Sequence, residues 1–242
     1  MIHVSSEADV TVVTLDRPER RNAVDLETLL ELRGVIDGVA ADRSRVLVLT
    51  GARGTFCAGA DLTGVEGRDF GAALTAVLTG LTALRACTVA AVQGAALGAG
   101  TQLAVACDLR VASTDAFFGV PASRLGLMVD QWTVQRVALL VGGSAARAML
   151  LAAEQVSAER ALGLGLVHRI GGMEDALAWA QRIAALAPMS VAGHKLALER
   201  MFPPVPPDAD VLAAFQTVWA SEDAREGPAA FLAKRPARFQ GR

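Results

Sequence analysis

Two turns of small residues are the first places in this chain where chemistry could be done. One is GTFCAGADL (residues 54–62) and the other is GAALGAG (residues 94–100). Glycine lets a ligand approach the backbone closely. A glycine-rich turn that opens a helix also aims unpaired N–H groups at one point, and the helix dipole adds positive potential there. That arrangement suits an oxyanion developing on a carbonyl. Taken alone, the first turn reads more readily as an ordinary glycine-rich turn with Asp61 as a helix cap, and the second also serves close helix–strand packing. Gln102 follows the second turn; it can hydrogen-bond a water or an acyl group but cannot take a proton at neutral pH. Asp130, in LGLMVDQW (residues 125–132), is a carboxylate among apolar neighbours. In an apolar pocket beside Met128 and Trp132 its pKa would rise toward the range of a useful base. The alternative is structural, with Asp130 capping a helix over residues 131–141.

Other chemistries find no pattern. There is no dinucleotide fingerprint, no P-loop and no G-x-S-x-G elbow. Cys57, Cys87 and Cys107 are scattered without metal-ligand spacing. His3, His168 and His194 share no spacing with a Ser or Cys nucleophile. Arg20, Arg21 and Lys234 could meet phosphate, but taken alone they read first as a solvated charged surface.

The elements that must position these residues are legible in outline. Val10–Leu15 is β-branched and predicts a strand that ends before Pro18. Asp25 predicts an N-cap for a helix to about Ala41, with Leu26, Leu29, Leu30 and Ile36 as its stripe. Residues 45–50, 89–93 and 109–112 predict buried strands, and residues 69–86 a helix with Leu74, Val77, Leu78 and Leu81 on one side. Beyond Gln131 the pattern is mainly helical, broken at Gly142-Gly143, Gly171-Gly172 and Pro188. A proline-rich run at 203–207 separates the last helices, expected over 211–221 and 228–233. Strands alternating with helices predict an α/β fold with parallel pairing.

The chain has 242 residues and a formal net charge of −2, which disfavours nucleic acid as a partner. Mean hydropathy is +0.38, with alanine and glycine supplying much of the apolar content. No run reaches the ~18 apolar residues of a spanning helix, so no integral membrane segment is expected. An odd set of cysteines and the lack of a leader pattern in the first residues predict a cytoplasmic protein. Surplus apolar surface points to oligomerisation.

Taken together and in order, the motifs resemble the enoyl-CoA hydratase (crotonase) superfamily over nearly the whole chain. LDRPERRNAVD, FCAGADL, QGAALGAGTQLAVACDLRVA, FFGVPASRLGLMVDQWTVQR, ALGLGLVHRI and FLAKRPARFQG each match a family segment. The resemblance is especially to actinobacterial members with altered catalytic glutamates. It implies a spiral of ββα units, with residues 1–188 as the core and 189–242 as a helical region that trimerises, and trimers that often pair. It implies a thioester site whose oxyanion hole is the backbone N–H of Ala60 and Ala99. Arg20, Arg21 and Ala23 match the segment lining the CoA nucleotide, and Ala58, Ala60, Asp61 and Leu62 the adenine-side loop. Phe231 and Lys234 match tail residues that reach the CoA of a neighbouring subunit. No metal or cofactor is implied beyond an acyl-CoA or enoyl-CoA ligand. Hydratases of the family carry glutamates where this chain has Gln102 and Ala122. The expected function is therefore acyl-CoA binding in lipid metabolism, as a carrier or a very weak enzyme. Some relatives place a functional carboxylate at the spacing of Asp130, and the alternative is an enoyl-CoA isomerase with Asp130 as its single base.

Overall fold

β1 (Ile2–Glu7) turns back antiparallel onto β2 (Val10–Leu15) through Ala8, whose φ of 52° closes the hairpin. The computed structural model describes residues 1–42, 44–63, 68–201 and 208–242. α1 (Leu26–Ala41) follows, capped as expected: the Asp25 side chain accepts from the Thr28 N–H. Its buried stripe is Leu29, Leu32 and Ile36, whereas Leu30 is 60% exposed, a correction to the expected set. β3 (Val46–Gly51), α2 (Arg68–Ala83), β4 (Cys87–Val92), β5 (Ala95–Leu97), α3 (Ala99–Ala106) and β6 (Leu109–Ala112) come next. β7 (Phe117–Gly119), α4 (Gln131–Leu151), β8 (Val156–Ser157), α5 (Ala158–Leu164), β9 (Arg169–Ile170), α6 (Met173–Ala184) and α7 (Pro188–Met201) continue the chain. α8 (Ala209–Ala220) and α9 (Asp223–Leu232) close it. α2 ends before the expected residue 86. The proline-rich run at 203–207 lies outside the described residues.

The main sheet has the order β1-β2-β3-β4-β6-β9 and is parallel from β2 onward. Parallel strands need both faces covered, and the residues comply. Val46, Val48, Val89, Ala91 and Val111 pack with Ala176, Ala180 and Ile183 of α6. The alternate residues Leu47, Leu49, Ala90 and Val92 are buried as well. Leu74, Val77, Leu78 and Leu81 of α2 are core.

The chain divides into two compact units, neither continuous in sequence. One is Met1–Phe118 with Ser157–Pro203, the other Gly119–Val156 with Pro204–Arg242. This division differs from a cut at residue 188. α7 stays with the first unit because Lys195, buried, ion-pairs Asp108 at 2.8 Å and donates to the Leu81 and Ala86 carbonyls. Asp108 Oδ2 in turn accepts from the Thr88 N–H and hydroxyl, so both members of the pair are bonded inside that unit.

In the second unit a 3-10 turn, Pro121–Leu125, ends at Gly126 in the left-handed region (φ 64°). α9 lies directly on it. A Cβ at Gly126 would fall 2.3 Å from the Asp223 carbonyl oxygen, and one at Gly227 would fall 2.0 Å from that of Leu125. Only glycine permits two such backbone contacts. Trp219 Nε1 donates to the Met128 carbonyl at 2.8 Å, and the Asp208 N–H to Gln131 Oε1 at 2.9 Å. α4 kinks at Gly142 (φ 77°, ψ 155°). Among the described residues it is the single helix long and apolar enough to cross a membrane, a weak candidate that carries Arg136 and Arg147.

Candidate functional site

Residues 56–57 run beside β5 like a short strand. The Phe56 N–H donates to the Gln93 carbonyl at 2.7 Å, Cys57 to Ala95 at 2.9 Å, and Leu97 back to Cys57 at 3.0 Å. The two candidate turns therefore leave the same pair of strands side by side. Gly59 (φ 121°) and Gly98 (φ 52°) take conformations that disfavour other residues. A Cβ at Gly98 would lie 3.9 Å from the Gly59 Cα. Gly100 sits still closer, since a Cβ there would meet the Cys57 carbonyl oxygen at 2.2 Å.

The residue after each of these glycines carries the expected N–H. Ala99 is the first residue of α3, where N–H groups have no intrahelical acceptor. Ala60 forms an isolated parallel bridge with Val24. In it Val24 makes both bonds, donating to Gly59 at 2.9 Å and accepting from Asp61 at 2.8 Å. The Ala60 N–H is thereby turned to the other side. Among the described residues neither the Ala60 nor the Ala99 N–H has an acceptor. Gln102 is buried one turn into α3, its N–H bonded to the Gly98 carbonyl at 3.0 Å.

Behind the first turn stands an ion cluster that the sequence reading missed. Arg17 is buried, and its Nη2 reaches Asp25 Oδ2 at 2.8 Å and Asp61 Oδ2 at 3.2 Å. Nη1 donates to the Ala23 carbonyl at 2.6 Å. Burial would raise the Asp61 carboxyl, but bonds from the Thr63 hydroxyl and N–H, then the Arg17 guanidinium, hold it below the usual carboxylate range. Asp61 therefore faces inward to Arg17 and Thr63. Asn22, in the left-handed region, accepts from the Arg17 N–H and donates to the Ala52 and Thr55 carbonyls. The sequence signal was present in LDRPERRN: a basic residue before proline, an asparagine five residues later, and Asp25 and Asp61 as carboxylates. Nothing in the spacing distinguished Arg17 from its neighbours Arg20 and Arg21, which are exposed. Ala23, Ala58 and Leu62 are half-buried on the same loops.

In the second unit Asp130 is the N-cap of α4. Its Oδ1 accepts the Thr133 N–H at 3.1 Å and the Thr133 hydroxyl. Ala122 lies in the 3-10 turn and accepts the Leu127 N–H at 2.9 Å. Phe231 is 57% exposed near the end of α9. Lys234 follows that helix in the left-handed conformation, and the Arg235 N–H closes the turn on the Ala230 carbonyl at 3.0 Å. The tail is tied to α9 by Arg235 on Glu226 and by Asp223, which accepts the Gln240 and Gly241 N–H groups.

Residues 5–242 match the sequence profile of the enoyl-CoA hydratase/isomerase family. The chain belongs to this family. It is 41% identical over 248 residues to the "probable enoyl-CoA hydratase echA6" of Mycobacterium tuberculosis, with all of both chains covered. It is 35% identical to the short-chain-enoyl-CoA hydratase of Clostridium acetobutylicum, covering 96% of this chain and 94% of that one. Among solved structures, the carnitinyl-CoA hydratase of Mycobacterium avium superposes with a TM-score of 0.87 at 32% identity, covering 100% of this chain and 98% of that one. The expected α/β crotonase fold is borne out, as is a place in acyl-CoA metabolism.

Proposed function

We propose that this family member binds acyl-CoA thioesters as a carrier or a very weak enzyme, and does not carry out ordinary hydration. The observation that carries the reading is the opening of α3. The Ala99 N–H, without an acceptor among the described residues, stands beside the Gly59–Ala60 turn, and the first turn of the helix supplies Gln102 where hydration needs a carboxylate. α3 contains no Asp or Glu, and neither does the 3-10 turn at Pro121–Leu125 that holds Ala122. General acid–base groups contribute roughly 10²–10⁴ each, so a site without either is left mainly with binding.

In this reading the N–H groups of Ala60 and Ala99 grip the thioester carbonyl. Arg20, Arg21 and Ala23 line the CoA nucleotide, with Ala58, Asp61 and Leu62 on the adenine side through their loop backbone. Phe231 and Lys234 reach the CoA of a neighbouring copy in a homotrimer or a dimer of trimers in the cytoplasm. Exposed Met189, Leu196, Leu198 and Met201 on α7, and Leu212 and Trp219 on α8, support an assembly that covers them.

The test is a calorimetric titration with a short and a long 2-enoyl-CoA, followed by mass spectrometry of each sample. Binding without product supports the reading; hydrated product at hydratase-like rates would refute it. A second reading, an isomerase with Asp130 as its single base, is favoured by one detail. Both Thr133 bonds go to Oδ1, leaving Oδ2 outside the cap. It predicts a shifted double bond that Asp130→Asn abolishes while thioester affinity holds.

A further inference from the structure

The Val24–Ala60 bridge decides where the Ala60 N–H points, and the Arg17 guanidinium is bonded to both sides of that bridge. On one strand it holds the Ala23 carbonyl and the Asp25 carboxylate, the residues flanking Val24. On the other it holds Asp61, the residue after Ala60. We infer that Arg17 is the positioning residue for the Ala60 N–H. It clamps the bridge so that this donor stays turned toward a thioester carbonyl. The inference rests on the proposed function for the carbonyl, and on geometry alone for the clamp.

Stability is a poor explanation for this arginine. Its Nε is buried with no acceptor among the described residues, and burying a cation between carboxylates costs desolvation that the ion pairs only partly offset. A well-packed apolar residue would serve a purely structural purpose as well. What an apolar residue lacks is the planar fork that can hold a carbonyl and two carboxylates at once. The same loop is closed on itself around Arg17: the Arg20 and Asn22 N–H groups both donate to its carbonyl at 2.9 Å. The guanidinium thus hangs from a rigid support. Arg17 does not touch the ligand in this scheme; it acts through Asp61 and Ala23.

The experiment compares wild type with Arg17→Met and Asp25→Asn. Asparagine keeps the α1 cap on Thr28 while removing the charge that faces Arg17, so it remains informative if the methionine variant fails to fold. Hydrogen exchange without ligand is read first at the Val24, Ala58 and Asp61 amides. These should exchange about tenfold faster in the variants, the loss of one charge-assisted hydrogen bond, while β3 and β4 amides hold. Infrared spectra of an isotope-labelled acyl-CoA carbonyl are read second. The wild-type band should shift to lower frequency on binding, and the variants should lose most of that shift. An unchanged band in a folded variant that still binds overturns the inference, as does unchanged exchange at Val24 and Asp61. If the wild type binds no acyl-CoA, the proposed function fails, and the exchange data alone still decide whether Arg17 holds the bridge.

Discussion

Gly59 and Gly98 face each other with room for one methyl group between them: a Cβ on Gly98 would sit 3.9 Å from the Gly59 Cα, at van der Waals distance. Two turns separated by a whole helix and strand in sequence therefore present their following residues, Ala60 and Ala99, from adjoining backbone. The approach is made by strand pairing through Cys57 and β5 and depends on Gly100, which lets α3 close on the Cys57 carbonyl.

That dependence gives a stability prediction. Gly100→Ala drives a methyl to 2.2 Å from the Cys57 carbonyl oxygen, so the strand and α3 must separate. A loss of about 1–3 kcal/mol is expected, the usual cost of overpacking. Gly34→Ala on α1 meets nothing within 4 Å among the described residues and should stabilise by about 0.5–1 kcal/mol. Urea titrations of both variants check the contrast, and equal effects would contradict it.

If the proposed function holds, placing carboxylates at Gln102 and Ala122 should add hydration chemistry. Gln102→Glu places a carboxyl in a buried position, where desolvation raises its pKa. Alone it is expected to give little hydration. Combined with Ala122→Glu, turnover of a short 2-enoyl-CoA should rise by roughly 10² or more, followed by loss of the conjugated enoyl absorbance. No gain in the double variant would mean that the carbonyl grip itself is unfit for the reaction.

Asp130 makes a separable prediction. As the cap of α4 it should cost about 1 kcal/mol when replaced by alanine, and only a few tenths when replaced by asparagine. Chemical denaturation measures both. Equal losses would show that its charge matters to stability and not its acceptor oxygen.

His168 should make stability depend on pH. Partial burial, then the Arg110 charge, pushes its pKa down to about 4, and its Nδ1 accepts the Arg110 N–H, a bond that only the unprotonated ring can make. The folded protein therefore resists protonation that the unfolded chain accepts near its ordinary value of 6.5. Its contribution is complete above pH 6.5 and is lost as pH falls toward 4. The ring keeps a face in solvent, so the effect is tempered by screening. His168→Asn, which keeps an acceptor, should flatten the stability profile across that window; an unchanged slope would assign it to other groups.

Much of this molecule follows from residues that act on near neighbours. The β-branched run Val10–Leu15 makes its strand, and Asp25 caps α1 through Thr28, three residues on. The paired small-residue turns are equally legible, as is the fact that Gln102 and Ala122 cannot act as carboxylates, because the backbone geometry of a turn and the proton chemistry of a side chain are local properties. The two readings of Asp130 were both visible too, since a cap needs only Thr133.

Tertiary structure decided what depends on distant partners. Arg17 and Asp61 are 44 positions apart, and no local pattern says that this arginine is buried while Arg20 and Arg21 are exposed. Leu30 was expected inside and lies outside because α1 meets its neighbours along the Leu29, Leu32 and Ile36 line. The C-terminal helices divide between two units because Lys195 finds Asp108 while Gly227 and Gly126 admit close backbone contact within the other. Periodicity and turn chemistry choose elements. Which charged groups lose their water, and which backbones approach within a carbonyl's reach, is set only when those elements pack.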